Sequence, residues 1–237
     1  MAQSPTTPDV VFTTPFSAEE RITTFLRSVY GWMCAGLAIT ATVAYFVASS
    51  PSIIQTLTRS PFLAIGLMIA QLGLVGVLSF RVQRMAPSTA AALFIAYSAL
   101  TGVTVSFVLL AYTLESVAST FAIAAAMFGA MAFYGTVTSR SLAGWGQFLF
   151  MGLIGVIIAS VVGMFWQSDG LQFVLGFCGV IVFTGLAAYD AQRLKAMALA
   201  LPSGATGSFA VVGALSLYLD FINLFLMLLR FTGDRRR

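Results

Sequence analysis

The charged residues of this chain stand so far apart that the gaps between them measure it. Between Arg27 and Asp220 lie seven uncharged intervals, 28 to 58, 60 to 80, 85 to 114, 116 to 139, 141 to 168, 170 to 189 and 196 to 219, which run from 20 to 31 residues in length. A bilayer core about 30 Å thick needs about 20 apolar residues of helix, and two crossings with a turn need roughly 45. Each interval therefore holds one crossing, which predicts an all-α, polytopic membrane protein with helices over 29–48, 61–80, 89–111, 117–137, 146–166, 171–193 and 208–229. A membrane β-barrel would alternate apolar with polar positions, whereas runs such as Phe148 to Val162 are apolar all round.

Composition supports the same class. Charged residues make up 8% of the chain and hydrophobic ones 59%, against about 25% charged in a soluble domain. The chain has no histidine, which excludes His-dependent triads, HExxH zinc sites and histidine-ligated haem. Cys34 and Cys178 both lie in long apolar runs and read as small buried hydrophobes. No resident cofactor and no nucleic-acid partner are expected, and a retinal pump is excluded because its retinal needs a lysine inside the bundle and the one lysine, Lys195, falls in the predicted loop between the sixth and seventh helices.

The organisation follows from the ruler. Residues 1–28 form a polar tail, in which Phe16 to Arg27 is a candidate interfacial helix with Ser17 as its cap and Glu19 and Glu20 in its first turn. Residues 29–230 form the transmembrane domain, and 231–237 a basic C-terminal tail. The polar N-terminal tail, with Asp9, Glu19 and Glu20, reads as disorder, with a grip for a partner as the alternative. Arg21 and Arg27, Arg81 and Arg84, Arg140, Arg193 and Lys195 all fall on one side, which predicts a cytoplasmic N-terminus. Seven crossings then send Arg230, Arg235, Arg236 and Arg237 to the other side, against the same rule. The last segment either spans or turns back, and spanning is the preferred expectation because Ser208 to Leu229 is long enough.

Two charges do not sit at helix ends. Asp220 falls about twelve residues into the seventh segment, roughly 18 Å deep at 1.5 Å per residue, and Asp190 lies toward the end of the sixth. An ionisable group at such depth is costly unless it faces a partner, water or the bundle interior. The short link around Pro202, Ser203 and Gly204 makes the two segments antiparallel neighbours. Two carboxylates close together in a low dielectric cannot both ionise cheaply, so they share one proton, and the pair is a candidate switch within the range over which cytosolic pH varies. A structural role, gluing helices through hydrogen bonds, stands beside it. Arg81, Arg84 and Arg193 are candidate counter-charges or members of a solvated collar. Glu115 and Asp169, on the opposite side, are candidate pore-mouth acids or plain loop acids.

The strings AAYDAQRLK, from Ala187 to Lys195, and ALSLYLDFINLFLMLLR, from Ala214 to Arg230, closely resemble the end of the sixth helix and the whole seventh helix of the Bax inhibitor-1 family, including its bacterial YccA-like branch. FLFMGLIGVIIAS, from Phe148 to Ser160, resembles that family's fifth helix, and AMFGAMAFYG, from Ala126 to Gly135, its fourth. The resemblance implies a seven-helix fold with a central last helix, an address in the bacterial inner membrane, and a Ca²⁺-permeable leak favoured by acid. It implies Asp190 and Asp220 as the sensor, and Arg81 by a looser match as the arginine that binds it. From the residues alone the pair is at most a weak, transient Ca²⁺ site, since Ca²⁺ takes six to eight oxygen ligands and the membrane core offers two acids. A leak needs weaker binding than a store does.

Two other readings remain open. The YccA-like branch is associated with modulation of a membrane-bound AAA protease, a role needing no transport. Aspartyl intramembrane proteases also carry a YD motif on a sixth helix, matched here by Tyr189 and Asp190. Their GxGD sequence is replaced by Leu217, Tyr218 and Leu219 before Asp220, and no PAL tripeptide follows, so an enzyme is not expected.

Overall fold

The computed structural model describes residues 17–166, 168–202 and 206–236. The helices run in the order α1 (Ala18–Ala48), α2 (Pro51–Arg59), α3 (Pro61–Arg81), a 3-10 turn (Val82–Arg84), α4 (Pro87–Ala111), α5 (Leu114–Val137), α6 (Ala143–Phe165), α7 (Asp169–Ala200) and α8 (Thr206–Thr232). Seven of these, all but α2, are long and apolar enough to cross a membrane, in agreement with the spacing of charges.

Local chemistry sets the boundaries. Ser17 opens α1 with a reciprocal capping box, in which Glu20 N–H donates to Ser17 Oγ at 3.2 Å and Ser17 N–H to Glu20 Oε2 at 2.9 Å. Proline stands at the first helical position of α2, α3 and α4, where its missing N–H costs nothing. Thr113 caps α5 by accepting from Ser116 N–H.

The structure departs from the sequence expectation in several places. Ser17 caps as expected, but the helix it opens is continuous through Arg27, so Ala18 to Arg27 forms the first turns of α1 rather than a separate interfacial helix. Phe16 and the rest of the tail from residue 1 lie outside the described residues. The sixth expected segment continues past 193 to Ala200, since Leu194, Met197 and the alanines around them are strong helix formers and no glycine or proline intervenes before Pro202. Arg193 and Lys195 are thus helical, and Lys195 Nζ donates to Thr136 O at 2.7 Å at the end of α5. Ser203 and Gly204 lie outside the described residues.

The burial pattern orders the bundle. In α8, 72% of the spanning window is buried inside the protein, against 6% in α3. The last helix is therefore the hub, contacted by α7, α1, α5 and α4, and α3 is peripheral. Phe62, Phe80, Phe148 and Phe165 project outward, a surface that suits acyl chains and not water. Close approach is built from small residues: a Cβ on Gly135 of α5 would run into the carbonyl of Ala188 on α7.

Helix α8 runs unbroken from the end of the bundle at Met85, whose carbonyl Ser208 Oγ bonds, to the end at the α4–α5 link. Beyond it, Asp234 O accepts from Thr113 N–H at 3.1 Å and Ala111 O accepts from Arg236 N–H at 2.9 Å, so the C-terminal segment forms an antiparallel bridge with the α4–α5 link. Arg235 lies over the ring of Tyr112. The chain end thus sits on the face opposite Arg21, Arg81, Arg140 and Arg193. Spanning, the preferred alternative, is what the fold adopts, with backbone bonds and a cation–π contact holding the basic end where charge bias alone would not put it. Arg237 lies outside the described residues.

Candidate functional site

Helices α7 and α8 are antiparallel and packed along their length, with Leu194 of α7 filling the space over Gly213 of α8. That register brings Asp190 and Asp220 to the same level. The Asp220 carboxyl is buried, its residue 6% exposed, and it faces the Asp190 carboxyl within interaction range. Its Oδ2 has no hydrogen-bond partner among the described residues. A buried acceptor without a donor is costly, and a single proton held between the two carboxyls would supply one. In a low dielectric that is the arrangement two adjacent acids favour.

The two acids differ in access. Asp190 lines a cavity of about 190 Å³ together with Ser79, Val82, Arg193, Met197 and Ser216. Asp220 lies behind Asp190 and does not line that cavity. Of the two acids, Asp190 is therefore the one open to the cavity.

Of the candidate counter-charges, the structure brings one to the pair. Arg193 is three residues along α7 from Asp190, on the same face, lines the same cavity and acts on its carboxylate through space. Arg81 and Arg84 instead line a separate hollow of about 620 Å³ with Phe80, Gln83, Met85 and Thr89. Glu115 is exposed in the first turn of α5, on the opposite face. Asp169 is the first residue of α7, and its side chain lies outside the described residues.

Metal chemistry at this site is limited by its donors. No group of three or more His, Cys, Asp or Glu side chains able to hold a metal ion occurs among the described residues. The two carboxylates fall well short of the six to eight oxygens that Ca²⁺ takes. The geometry also bears on proteolysis. Helix α8 continues unbroken through Asp220, so its backbone is committed to the helix and offers no edge to an extended substrate.

Several polar contacts around the site were not visible in the charge pattern because the groups are neutral. Gln192, two residues after Asp190, clamps the α5–α6 link: its Nε2 donates to Arg140 O at 2.9 Å and its Oε1 accepts from Leu142 N–H at 2.7 Å. On the other side of α8, Thr40 Oγ1 lies 2.6 Å from Tyr218 OH and bonds Ser98 O at 2.9 Å. For Thr40 and Tyr218 a hydroxyl inside an apolar run is the only sequence signal, and hydroxyls so placed commonly bond their own helix.

Residues 22–237 match the family model described as "Inhibitor of apoptosis-promoting Bax1". The chain is 48% identical over 216 residues to the inner membrane protein YbhL of Escherichia coli (strain K12), covering 90% of this chain and 92% of that protein. It is 44% identical over 214 residues to an uncharacterized protein of Borreliella burgdorferi (strain B31), covering 90% and 92%. To a protein of Rickettsia prowazekii (strain Madrid E) it is 40% identical over 219 residues, covering 92% of each.

Proposed function

The chain belongs to the Bax inhibitor-1 family, and from that premise we propose that it is a pH-sensitive cation leak of the inner membrane, with Ca²⁺ as its permeating ion. Asp190 and Asp220 are the sensor and gate, and the N-terminus is cytoplasmic. The observation that carries this reading is the placement of two facing carboxylates, Asp190 lining a cavity and Asp220 buried behind it, where α7 meets the central helix. The inner-membrane address rests on the printed name of the Escherichia coli relative and on seven apolar helices.

The mechanism uses only what these residues can do. Asp190, at the cavity wall, exchanges protons with the arginine-rich face. When the pair holds one proton, the two carboxyls are joined and α7 and α8 stay closely packed; beyond Asp220, Leu224, Phe225 and Leu228 fill the interior of the bundle. Arg193 balances the remaining charge at the cavity. In acid the second proton neutralises the pair and removes the attraction of Arg193 for Asp190. The α7–α8 contact then loosens, and cations pass along it. Weak binding at two acids keeps the ion moving.

Proteoliposomes loaded with a Ca²⁺ indicator test this. Flux through the wild type should rise as pH falls, and Asp190→Asn and Asp220→Asn should each flatten the dependence. Flux absent at every pH, or a pH profile unaltered by both substitutions, overturns the reading. Failure of membrane-embedded peptides to be cleaved at any pH is expected as well, since the unbroken α8 helix offers a substrate no edge.

A further inference from the structure

We propose that Tyr218 is a positioning residue for the aspartate pair: its hydroxyl, bonded to Thr40, fixes the rotation of α8 that aims Asp220 at Asp190. This inference regulates the same site and so rests on the reading of that pair as a sensor.

The bond is directional, and its direction can be assigned. Thr40 has one hydroxyl proton, and the carbonyl of Ser98 can only accept. Thr40 therefore donates to Ser98 O, and Tyr218 donates to Thr40. The result is a chain of two hydrogen bonds from α8 through α1 to α4, with Tyr218 fully buried and Thr40 3% exposed. A close approach makes it possible. A Cβ on Gly102 of α4 would stand 2.8 Å from Thr40 O and 2.7 Å from Val43 Cβ, so only a residue without one lets α1 lie this near. The Tyr218 ring is held edge-on by Phe94 and by Tyr97, with centroids 5.7 and 5.8 Å away.

Tyr218 and Asp220 are two residues apart, about 200° around the helix. One therefore faces α1 and α4 while the other faces α7. A side-chain group about 5 Å from the helix axis moves roughly 2 Å when the helix turns by 20°, enough to separate two carboxyls that share a proton. Apolar packing resists such a turn only through shape. In lipid, an interhelical hydrogen bond adds a directional restraint that the apolar surroundings do not weaken by competition with water.

The ionisable neighbour of Asp220 is Asp190, and that of Asp190 on its other side is Arg193. Helix α7 contributes Asp190 with Arg193 beside it; on α4, Tyr97 packs against the Tyr218 ring, away from the pair; on α1, Tyr30 lies beside Thr136 of α5; and Arg81 and Arg84, at the end of α3 and in the 3-10 turn, line a separate hollow. Helix α5 presents Phe121 and Phe128 to Phe221. The Tyr218–Thr40 bond involves none of the charged groups, so removing it alters geometry and not charge.

The test uses the full chain in lipid vesicles and follows the infrared carboxylic-acid band that Asp220→Asn removes, as a function of pH. Tyr218→Phe and Thr40→Val each delete the bond, and Thr40→Ser retains the hydroxyl. The midpoint of the band should move to lower pH by about half a unit or more in the first two, a size that the loss of one net hydrogen bond can impose on a protonation equilibrium. It should stay near the wild-type value in Thr40→Ser. Unchanged midpoints in Tyr218→Phe and Thr40→Val overturn the proposal, as does a shift in Thr40→Ser equal to that in Thr40→Val. Should Tyr218→Phe not fold, the near-isosteric Thr40→Val decides. Expected shifts without Ca²⁺ flux in the wild type would leave the positioning role standing and reject the leak.

Discussion

A single added methyl at Gly135 tests how closely α5 and α7 are apposed behind the aspartate pair. An alanine Cβ there would overlap the Ala188 carbonyl oxygen and stand 2.8 Å from its carbon and 2.9 Å from Ala188 Cα. Carbon atoms are at their optimal separation at about 3.5–4.0 Å, so α7 would have to withdraw by roughly half an ångström or more. Both sides of the contact are backbone, and neither can rotate away. Forcing extra volume into a packed interior costs about 1–3 kcal/mol. Replacing glycine by alanine in a helix returns up to about 1 kcal/mol, which would mask part of the loss. Gly129, in the same helix, provides the correction, because a Cβ there meets nothing within 4 Å. The expected result is that Gly129→Ala is neutral or stabilising and that Gly135→Ala lies about 1–3 kcal/mol below it. Reversible unfolding in mixed micelles, extrapolated linearly in denaturant, measures the difference. Ala188 is two residues from Asp190, so Gly135→Ala should also alter the pH response of flux. Equal stability of the two variants would refute the close α5–α7 contact and the positioning of Asp190 that depends on it.

Two further outcomes follow from contacts at the two faces. Gln192→Ala should release the α5–α6 link, seen as faster amide exchange at Leu142, whose N–H now bonds Gln192 Oε1; unchanged protection would show that the clamp is dispensable. Deleting residues 234 to 237 removes the bonds to Thr113 N–H and Ala111 O and should expose the α4–α5 link to proteases, whereas continued resistance would mean that the link is held without the C-terminal segment.

The seven crossings were legible because the cost of placing a charge in lipid constrains every interval, wherever its helix packs. The α2 helix was not, since nine residues beginning with Pro51 and containing Arg59 satisfy a loop reading equally well. The end of α7 was missed for a similar reason: charges at Arg193 and Lys195 mark where the bilayer ends, and helix propensity continues past it. At the site, Asp190, Asp220 and Arg193 could be related through helical register and one short link. The position of Arg81 depends on how the peripheral α3 meets the bundle, which no local pattern encodes, and the structure sets it over a different hollow. Thr40 and Tyr218 are separated by 178 residues. Their hydroxyls are neutral, so a reading that follows charge passes over them.

The proposed gate is one unit made of two acids, and comparing single with double substitutions measures that directly. Ca²⁺ flux should be recorded across pH in proteoliposomes for Asp190→Asn, Asp220→Asn and the double variant. If the two carboxyls share a proton, either substitution removes the shared equilibrium, and the double variant should be no flatter than the flatter of the two singles. Effects that add, or a double variant that still responds to pH as the wild type does, would contradict a gate formed by this pair.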